Sequence, residues 1–415
     1  MTAIDVLVAD DREAGATRPV GQAHFTRNHG QISTTFLYDS AYLAGGGMNI
    51  DPALLLVSGS QHQQGLIRAF GDSAPDQWGR NLIEKAERTR AREEHRAPRR
   101  LDDLDSLLGV SDDTRQGALR FRLPGHDEFL GRPSSVPQLT SLPELLQASD
   151  ELASDADPSR AVKQLLNTGT GLGGARPKAS VCLEDGSLAI AKFPHSSDGW
   201  DVMAWEATML DLLEAAGIRT PQRRLTHVGE RSVLILRRFD RTGTGARLGY
   251  ISAMTATGST DGERRDYADI AEAMRDISRS PRRDHHELYD RIIASVALGN
   301  TDDHLRNHGF LADHGSWTLS PAFDVNPTPD VTRTRATSIA GADAQSEEVD
   351  GLLALAQDCS LSAEAARERL RYVASALANW QHQARKNRIA EREITMMAES
   401  IAPRLEAVVA AGTAA

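Results

Sequence analysis

Residues 299–307 read Gly-Asn-Thr-Asp-Asp-His-Leu-Arg-Asn and follow a predicted helix from Leu288 to Leu298. Two side chains of this stretch can carry chemistry, Asp302 and Asn307, and four residues separate them. A carboxylate in such a loop can accept or orient a hydroxyl proton, and an amide oxygen can hold a metal ion. The structural alternative is that Asp302 and Asp303 cap a helix, which acidic residues often do. Further functional residues elsewhere in the chain are therefore needed to decide between a catalytic loop and a helix cap.

A second acidic loop lies downstream. The predicted strand Ser316 to Leu319 leads into Ser320-Pro321-Ala322-Phe323-Asp324. D-x-x-x-x-N followed by a later aspartate is the arrangement of protein kinases, where it supplies a catalytic base and the ligands of Mg²⁺. Because Mg²⁺ prefers one or two carboxylates completed by substrate phosphates, this sparse set is sufficient. The pattern predicts Asp302 as the catalytic base, and Asn307 and Asp324 as metal ligands.

A glycine-rich loop precedes these elements. The stretch Gly169-Thr170-Gly171-Leu172-Gly173-Gly174-Ala175 matches G-x-G-x-x-G, between a predicted helix and a predicted strand. A dinucleotide-binding fold has the opposite order, and the Gly-Lys-Ser/Thr of a Walker loop does not occur. Backbone N–H groups can approach phosphate oxygens closely where no Cβ intervenes. The loop is predicted to lie over phosphates, with a plain hairpin loop as the alternative.

A lysine lies on the apolar strand that follows. Lys192 belongs to Ser187 to Phe193, which pairs with Ala179 to Leu183 through a turn at Asp185-Gly186. Kinases place a lysine on the strand after the glycine loop, where it binds nucleotide phosphates. Glu206, on the next predicted helix, could hold it in position. The alternative is an ordinary surface lysine.

The order of elements predicts the fold. Short strands fill the first 60 or so residues, and the chain is mostly helical from Tyr267 onward. The segment Leu107 to Phe121 is predicted as loop and strand, and Pro403 is expected to kink or split the last helix. We predict an α+β, two-lobed protein-kinase-like fold with a small β-rich N-terminal domain and a mostly helical C-terminal lobe. Its predicted domains are residues 1–125, 140–240 and 241–415.

Composition limits the classes of protein. With 415 residues, a net charge of −11 and a pI of about 5.7, the whole chain is unsuited to binding nucleic acid by itself. The basic stretch 85–100 is interpreted as a solvated helix face. For the short basic run 385–388, contact with DNA or an acidic partner is the minor alternative. Two cysteines cannot build a disulfide framework. The acidic start of the chain and the lack of a long apolar run predict a cytoplasmic protein without membrane segments.

The chain resembles the HipA family of serine/threonine kinases, which are toxins of bacterial toxin–antitoxin pairs. The resemblance covers nearly the whole sequence and consists of several short motifs in a fixed order. They are Phe36-Leu37-Tyr38, Pro75 to Leu82, Leu107 to Val110, Gln116 to Phe121, Gly173 to Lys178, Ala191-Lys192-Phe193, Arg238 to Arg241, Thr301 to His304 with Asn307, and Leu319 to Val325.

This resemblance implies ATP and Mg²⁺ as cofactors and a nucleotide site built from residues of both lobes. Asp302 would be the catalytic base, and Asn307 and Asp324 would bind Mg²⁺. Lys192 would bind phosphates, and the backbone of Arg237 to Phe239 would contact adenine. The nucleotide-binding residues implied are Gly171, Gly173, Gly174, Ala175, Arg176, Lys178, Lys192, Arg237, Phe239, His304 and Arg306.

The family also implies partners. A helix-turn-helix antitoxin would silence the kinase and repress transcription, so that DNA is contacted only through the antitoxin. The substrate would be a protein, and an aminoacyl-tRNA synthetase is one known in the family. Its phosphorylation stops translation and leads to growth arrest and persistence.

Two positions depart from the family pattern. Some members carry a regulatory serine just before the phosphate loop, where this chain has Gly171, which leaves Thr170 as the candidate for autophosphorylation. Some members also begin the hinge with an acidic residue, where this chain has Arg237. Adenine is usually bound through backbone groups there, so we expect ATP binding to be retained.

Two other functions compete with the kinase. His304 and His308 have i, i+4 spacing near Asp302, Asp303 and Asp324, which could indicate a metal-dependent phosphohydrolase. Such an enzyme would not require the glycine loop or Lys192. A catalytically inactive kinase-like co-repressor is the other alternative, and the presence of every catalytic side chain argues against it.

Overall fold

A computed structural model describes residues 2–9, 14–131, 136–153, 161–162, 165, 174 and 176–414. Two compact units make up the chain. The first contains residues 1–197 and 226–251, and the second contains residues 198–225 and 252–415. The predicted boundary between residues 125 and 140 falls inside the first unit.

The described residues form fourteen strands. In chain order they are β1 Thr2–Ala9, β2 Thr17–Asn28, β3 Gln31–Tyr38, β4 Gln61–Gln64, β5 Leu119–Arg122, β6 Lys178–Cys182, β7 Leu188–Lys192, β8 Arg223–Val228, β9 Arg231–Arg237, β10 Tyr250–Ser252, β11 Arg265–Asp266, β12 Gly309–Asp313, β13 Ser316–Leu319 and β14 Thr337–Ser338.

The helices are concentrated in the second unit. In chain order they are α1 Ser40–Ala44, α2 Arg68–Asp72, α3 Gln77–Glu93, α4 Asp103–Gly109, α5 Leu142–Ala153, α6 Val202–Ala215, α7 Ala253–Ala256, α8 Tyr267–Ile277, α9 Pro281–Ala297, α10 Glu348–Leu355, α11 Ala363–Leu377, α12 Trp380–Lys386 and α13 Glu391–Thr413. No helix within the described ranges is long and apolar enough to span a bilayer.

Two sheets form the first unit. One has the order β4-β3-β2-β1-β5 and is antiparallel throughout. The other has the order β6-β7-β9-β8. The hairpin β6–β7 turns at Asp185-Gly186, where Gly186 adopts φ +81°. A left-handed conformation is inexpensive only for glycine, which explains why the Asp-Gly pair marks the turn.

One hydrophobic core joins helix α3 to the second sheet. Trp78, Leu82 and Ile83 of α3 are buried in the same cluster as Val181 of β6 and Ala191 of β7. Burial of apolar surface is the main stabilising contribution to folding. The β-rich segment 1–125 and the lysine-bearing hairpin are therefore parts of one folded unit.

The second unit is built around helix α9. The predicted apolar face of Leu288, Ile292, Ile293 and Val296 is buried, with each residue at most 1% exposed. Helices α11 and α13 pack against α9. The hairpin β12–β13 aligns Phe310 with Leu319, immediately before the acidic loop of Asp324. The fold agrees with the predicted α+β architecture.

One local prediction was wrong, and a second was wrong in part. Leu107 to Gly109 belong to helix α4 rather than to a loop, because Asp102 and Asp105 form a capping box that nucleates this helix. Pro403 does not split the last helix, which runs continuously over Glu391–Thr413. Pro403 is exposed, and Ile401 and Val408 on the same helix are fully buried, so packing offsets the lost backbone hydrogen bond.

Candidate active site

Asp302 and Asp303 are adjacent in the second unit but have opposite environments. The side chain of Asp302 is 61% exposed, whereas that of Asp303 is 9% exposed. Neither caps an α-helix, since the next regular element is a 3₁₀ turn over Leu305–Asn307 that begins after His304. Asp302 is therefore the carboxylate that a substrate can reach from solvent.

Asp303 holds the loop of residues 299–307 in place through contacts of its buried carboxylate. Its carboxylate accepts hydrogen bonds from Tyr267 Oη at 2.5 Å and Ser295 Oγ at 3.2 Å, and His308 Nε2 lies 3.0 Å away. Burial alone would raise the pKa of Asp303, but the adjacent His308 ring and the hydrogen bond from Tyr267 hold this pKa well below its usual range. Asp303 remains ionised and structural.

The segment that contains Arg335 fixes the backbone on both sides of Asp302. Arg335 Nη2 donates to the carbonyl of Asn300 at 3.0 Å. The N–H of Ala336 donates to the carbonyl of Thr301 at 2.9 Å, and Thr337 Oγ1 donates to the carbonyl of Asp303 at 2.7 Å. With these carbonyls held, the loop turns the Asp302 side chain outward.

A buried ionic network supports this segment. Glu348 lies 2.8 Å from Arg335 Nη1 and 3.2 Å from Arg404 Nε, and all three side chains are 1% exposed. Removing one partner from a buried ion pair costs about 3–5 kcal/mol, because the remaining charge loses its compensation. Through Arg335, this buried network therefore fixes the backbone of the loop that carries Asp302.

Asn307 is oriented by the same loop. Its Nδ2 donates to the carbonyl of Asp302 at 3.1 Å, and the residue is buried. Because the amide nitrogen is used in this bond, Oδ1 remains as the acceptor end. An oxygen of this kind suits Mg²⁺, which takes hard oxygen ligands.

Asp324 adopts a strained backbone conformation. Its φ is +57°, in the left-handed region that non-glycine residues seldom occupy, although Asp and Asn tolerate it best. The residue is half-buried. Such strain is often found where a side chain must be held in one direction for function.

The loops of Asn307 and Asp324 are attached to one another. The N–H of Asn326 donates to Asn300 Oδ1 at 3.4 Å, and the N–H of Thr328 donates to the carbonyl of Gly299 at 3.1 Å. A cavity of about 20 Å³, enough for one water molecule, is lined by residues of both loops, including Asn307, Phe323 and Val325. The amide and carboxylate oxygens fit a hard cation such as Mg²⁺.

His304 and Arg306 lie between Asp302 and Asn307. His304 is exposed, and Arg306 is half-buried. The Arg306 guanidinium makes two contacts with the carboxylate of Asp261, from Nε at 3.0 Å and from Nη2 at 2.7 Å. Their predicted role in nucleotide binding remains a prediction.

In the first unit, Gly174, at the end of the predicted phosphate loop, is held by residues from the start of α3. The N–H of Gly174 donates to Asp76 Oδ2 at 2.7 Å, and its carbonyl accepts the N–H of Trp78 at 3.2 Å. Trp78 Nε1 also donates to the carbonyl of Lys178 at 2.9 Å. Arg176 is half-buried. The predicted site residues Gly171, Gly173 and Ala175, and the candidate Thr170, lie outside the described residues.

Lys178 and Lys192 lie opposite each other. They are directly paired in the antiparallel register of β6 and β7, and both are buried, at 5% and 7% exposure. Residues opposite in an antiparallel pair project from the same face of the sheet, where like charges repel. The register therefore places two buried lysines on one face of this hairpin.

The predicted adenine segment follows strand β9. Arg237 contacts the carboxylate of Asp185, and hydrogen bonds from Ser187 together with this guanidinium lower the pKa of Asp185. The N–H of Arg238 donates to the carbonyl of Leu188 at 3.0 Å and is thus committed to the sheet. Phe239 is half-buried, with its ring centroid 6.4 Å from that of Tyr250.

Glu206, the predicted partner of Lys192, is buried in helix α6 of the second unit. Lys192 belongs to the first unit, so this pairing stays a prediction.

Sequence reasoning missed the residues that position the site. These are Asp76, Trp78, Tyr267, Arg335, Glu348 and Arg404. The motif Pro75 to Leu82 gave a signal for the first two, since it combines an N-terminal acid with a buried tryptophan. For Arg335, Glu348 and Arg404 no local pattern exists, because Glu348 and Arg404 are 56 positions apart in the chain.

A protein-family model described as the HipA-like C-terminal domain matches residues 170–380. Among solved structures, the Shewanella oneidensis MR-1 HipA, determined in a toxin–antitoxin complex with HipB and its operator DNA, superimposes with a TM-score of 0.68. That match has 13% sequence identity and covers 99% of this chain and 96% of that chain.

A second solved structure, the Helicobacter pylori proinflammatory kinase CtkA, has a TM-score of 0.43 and 16% identity. It covers 59% of this chain and 95% of that chain. No curated protein matches this sequence.

Proposed function

Since this chain belongs to the HipA family, we propose that it is a serine/threonine protein kinase that transfers the γ-phosphoryl group of Mg-ATP to a protein hydroxyl. The observation that carries this proposal is the buried pair Lys178 and Lys192. Two ammonium groups on one sheet face, beside a glycine of the phosphate loop, suit a polyanionic ligand.

The second unit supplies groups suited to the acceptor side of the reaction. Asp302 faces solvent and can orient an acceptor hydroxyl and take its proton. Asn307 and Asp324 present oxygen ligands for Mg²⁺, which when bound would neutralise charge on the phosphates. Phosphoryl transfer requires positioning and charge neutralisation more than covalent chemistry, so these groups are sufficient.

We further propose that the protein acts as a toxin held inactive by a helix-turn-helix antitoxin, through which alone it meets DNA. The Shewanella HipA, whose fold this chain shares, was determined with HipB and operator DNA, which supports this partner. The protein substrate would be a component of translation, such as an aminoacyl-tRNA synthetase.

The test is transfer of label from γ-labelled ATP with Mg²⁺ to proteins of a cell extract. Wild type is expected to label one dominant protein. Asp302→Ala and Asp324→Ala should each lower the labelling rate at least 100-fold, because general-base catalysis and metal binding contribute on that scale. Asp276→Ala, at an exposed aspartate on helix α8, is the matched control and should label like wild type. Equal labelling by all four proteins would remove the site assignment.

The competing phosphohydrolase predicts a transition metal held by histidines and carboxylates. Within the described part of the chain, no group of three or more His, Cys, Asp or Glu side chains gathers in an arrangement that could hold a metal ion. His308 is buried beside Asp303, and His304 is exposed. His308 is therefore explained by its contact with Asp303 in the loop.

A further inference from the structure

One exposed arginine contacts the carboxylate assigned as the catalytic base. Arg333 Nη2 lies 2.7 Å from Asp302 Oδ1, with side chains that are 48% and 61% exposed. Among the described residues, Arg333 is the side chain that binds this carboxylate. The contact engages one of the two carboxylate oxygens.

The chain presents Arg333 at this point by means of a built turn. Asp330 Oδ1 accepts hydrogen bonds from the N–H of Thr332 at 2.9 Å and from Thr332 Oγ1 at 2.7 Å. On one side of this turn Thr328 is bonded to Gly299, and on the other Ala336 is bonded to Thr301. The segment 328–336, which carries Arg333, is thus hydrogen-bonded at both ends to the loop of Asp302.

The neighbouring arginines are engaged elsewhere. Arg306, on the loop itself, makes two contacts with Asp261. Arg335 is buried against Glu348. Arg333 is the guanidinium that faces the reacting carboxylate from the solvent side.

We propose that Arg333 is a positioning residue for phosphoryl transfer, an inference that rests on the proposed kinase function. Its guanidinium holds Oδ1 of Asp302, so that the carboxylate is fixed in one rotamer and Oδ2 is turned to the acceptor hydroxyl. The hydroxyl proton passes to Oδ2, the hydroxyl oxygen forms the bond to the γ-phosphorus, and the bond to the bridging oxygen breaks to release ADP. A cationic side chain suits this task because one charge-assisted hydrogen bond to Oδ1 restricts the rotation of the carboxylate.

An exposed ion pair contributes little to stability, so its loss should leave the fold intact. The effect of Arg333 on the reaction can therefore be measured apart from folding. A misplacement of about 1 Å in a reacting group can reduce a rate by about 100-fold, which sets the expected scale.

The experiment compares Arg333→Met, Arg333→Lys and Arg275→Met with wild type in the labelled-ATP transfer assay. Arg275 is the matched control, since it pairs with Asp358 at similar exposure, 49% against 48% for Arg333. We expect Arg333→Met to lower kcat about 10- to 100-fold with KM for ATP unchanged within about twofold. Arg333→Lys should recover most of the lost kcat, because an ammonium can still bind Oδ1, and Arg275→Met should match wild type.

A kcat for Arg333→Met equal to or above that of wild type would overturn the inference, as would an effect confined to the KM for ATP. Failure of Arg333→Lys to recover kcat would also contradict it. In each of these cases wild type still transfers label, so the proposed function stands. Absence of transfer by wild type overturns the proposed function and the inference together.

Discussion

At the scale of single residues, surroundings decide the roles of chemically identical groups. Asp302, Asp303 and Asp240 are all aspartates, and each has a different environment. Asp302 is exposed beside Arg333, whereas Asp303 is buried in a hydrogen-bonded network. Asp240 is buried between two arginines. Only the exposed carboxylate is suited to meet a substrate.

Asp240, just after strand β9, connects this part of the chain to the segment around Gly117. It accepts the N–H of Gly117 at 2.8 Å and pairs with Arg238 and Arg241. Arg238 Nη1 in turn donates to the carbonyl of Thr114 at 2.6 Å. Burial alone would raise the pKa of Asp240, but the two arginines hold this pKa far below its usual range.

We expect Asp240→Asn to lower the free energy of unfolding by about 3–5 kcal/mol at pH 7, because it leaves buried arginines uncompensated. A lowered native pKa means that the stabilisation is complete above the unfolded-state pKa, near 3.9, and is lost progressively as pH falls from there through the native pKa. The difference between wild type and variant should therefore be constant from about pH 7 to pH 5 and shrink below about pH 4. Urea unfolding measured at several pH values tests this. A difference that closes above pH 5 would mean that the native pKa is not lowered.

At the scale of elements, the start of helix α3 holds Gly174, the described end of the predicted phosphate loop. Asp76 and Trp78 bind the two sides of Gly174, and the Trp78 indole reaches the carbonyl of Lys178. The lysine that faces Lys192 is thus held by a side chain 100 positions earlier in the chain. The β-rich segment therefore supports the predicted nucleotide site, although it carries none of the predicted ligands.

Trp78→Phe is expected to weaken ATP binding and to destabilise the first unit. Phenylalanine keeps the ring in the core but leaves the buried carbonyl of Lys178 without its donor, which costs about 1–3 kcal/mol. Calorimetric titration with ATP and urea unfolding measure the two effects. Gln77→Ala, at the exposed neighbouring position, should change neither. Unchanged ATP affinity in Trp78→Phe would show that the indole does not position the lysine strand.

The elements differ in how well the sequence predicts them. The hairpin of Lys178 and Lys192 can be predicted from local sequence, because apolar residues flank an Asp-Gly turn that fixes the register. The spacing of Asp302 and Asn307 is also local. Helix α4 was missed because its capping box lies in an acidic stretch that resembles a loop. The network of Arg335, Glu348 and Arg404 depends on tertiary packing, which no local periodicity encodes.

At the scale of the whole molecule, the two compact units do not coincide with an N-terminal domain followed by a kinase. Residues 1–197 and 226–251 share one unit. Within it, Trp78, Leu82 and Ile83 fill the core beneath β6 and β7. The chain is therefore expected to behave as a kinase whose first lobe is completed by the β-rich segment.

A fragment that begins at residue 140 should consequently fail to fold cooperatively. It would expose the apolar surface that α3 covers, and each large side chain removed from such a core costs about 2–5 kcal/mol. Circular dichroism during urea unfolding compares the fragment with the full chain. A sharp transition and full ATP affinity in the fragment would contradict the shared core.

The most direct measurement of the central claim is the position of the transferred group. Full-length protein is incubated with Mg²⁺ and either γ-labelled or α-labelled ATP in cell extract, and the labelled protein is hydrolysed to identify the modified residue. The proposed kinase predicts label on serine or threonine from γ-labelled ATP and none from α-labelled ATP. Label from α-labelled ATP, or release of free phosphate without any labelled protein, would contradict phosphoryl transfer to a protein hydroxyl.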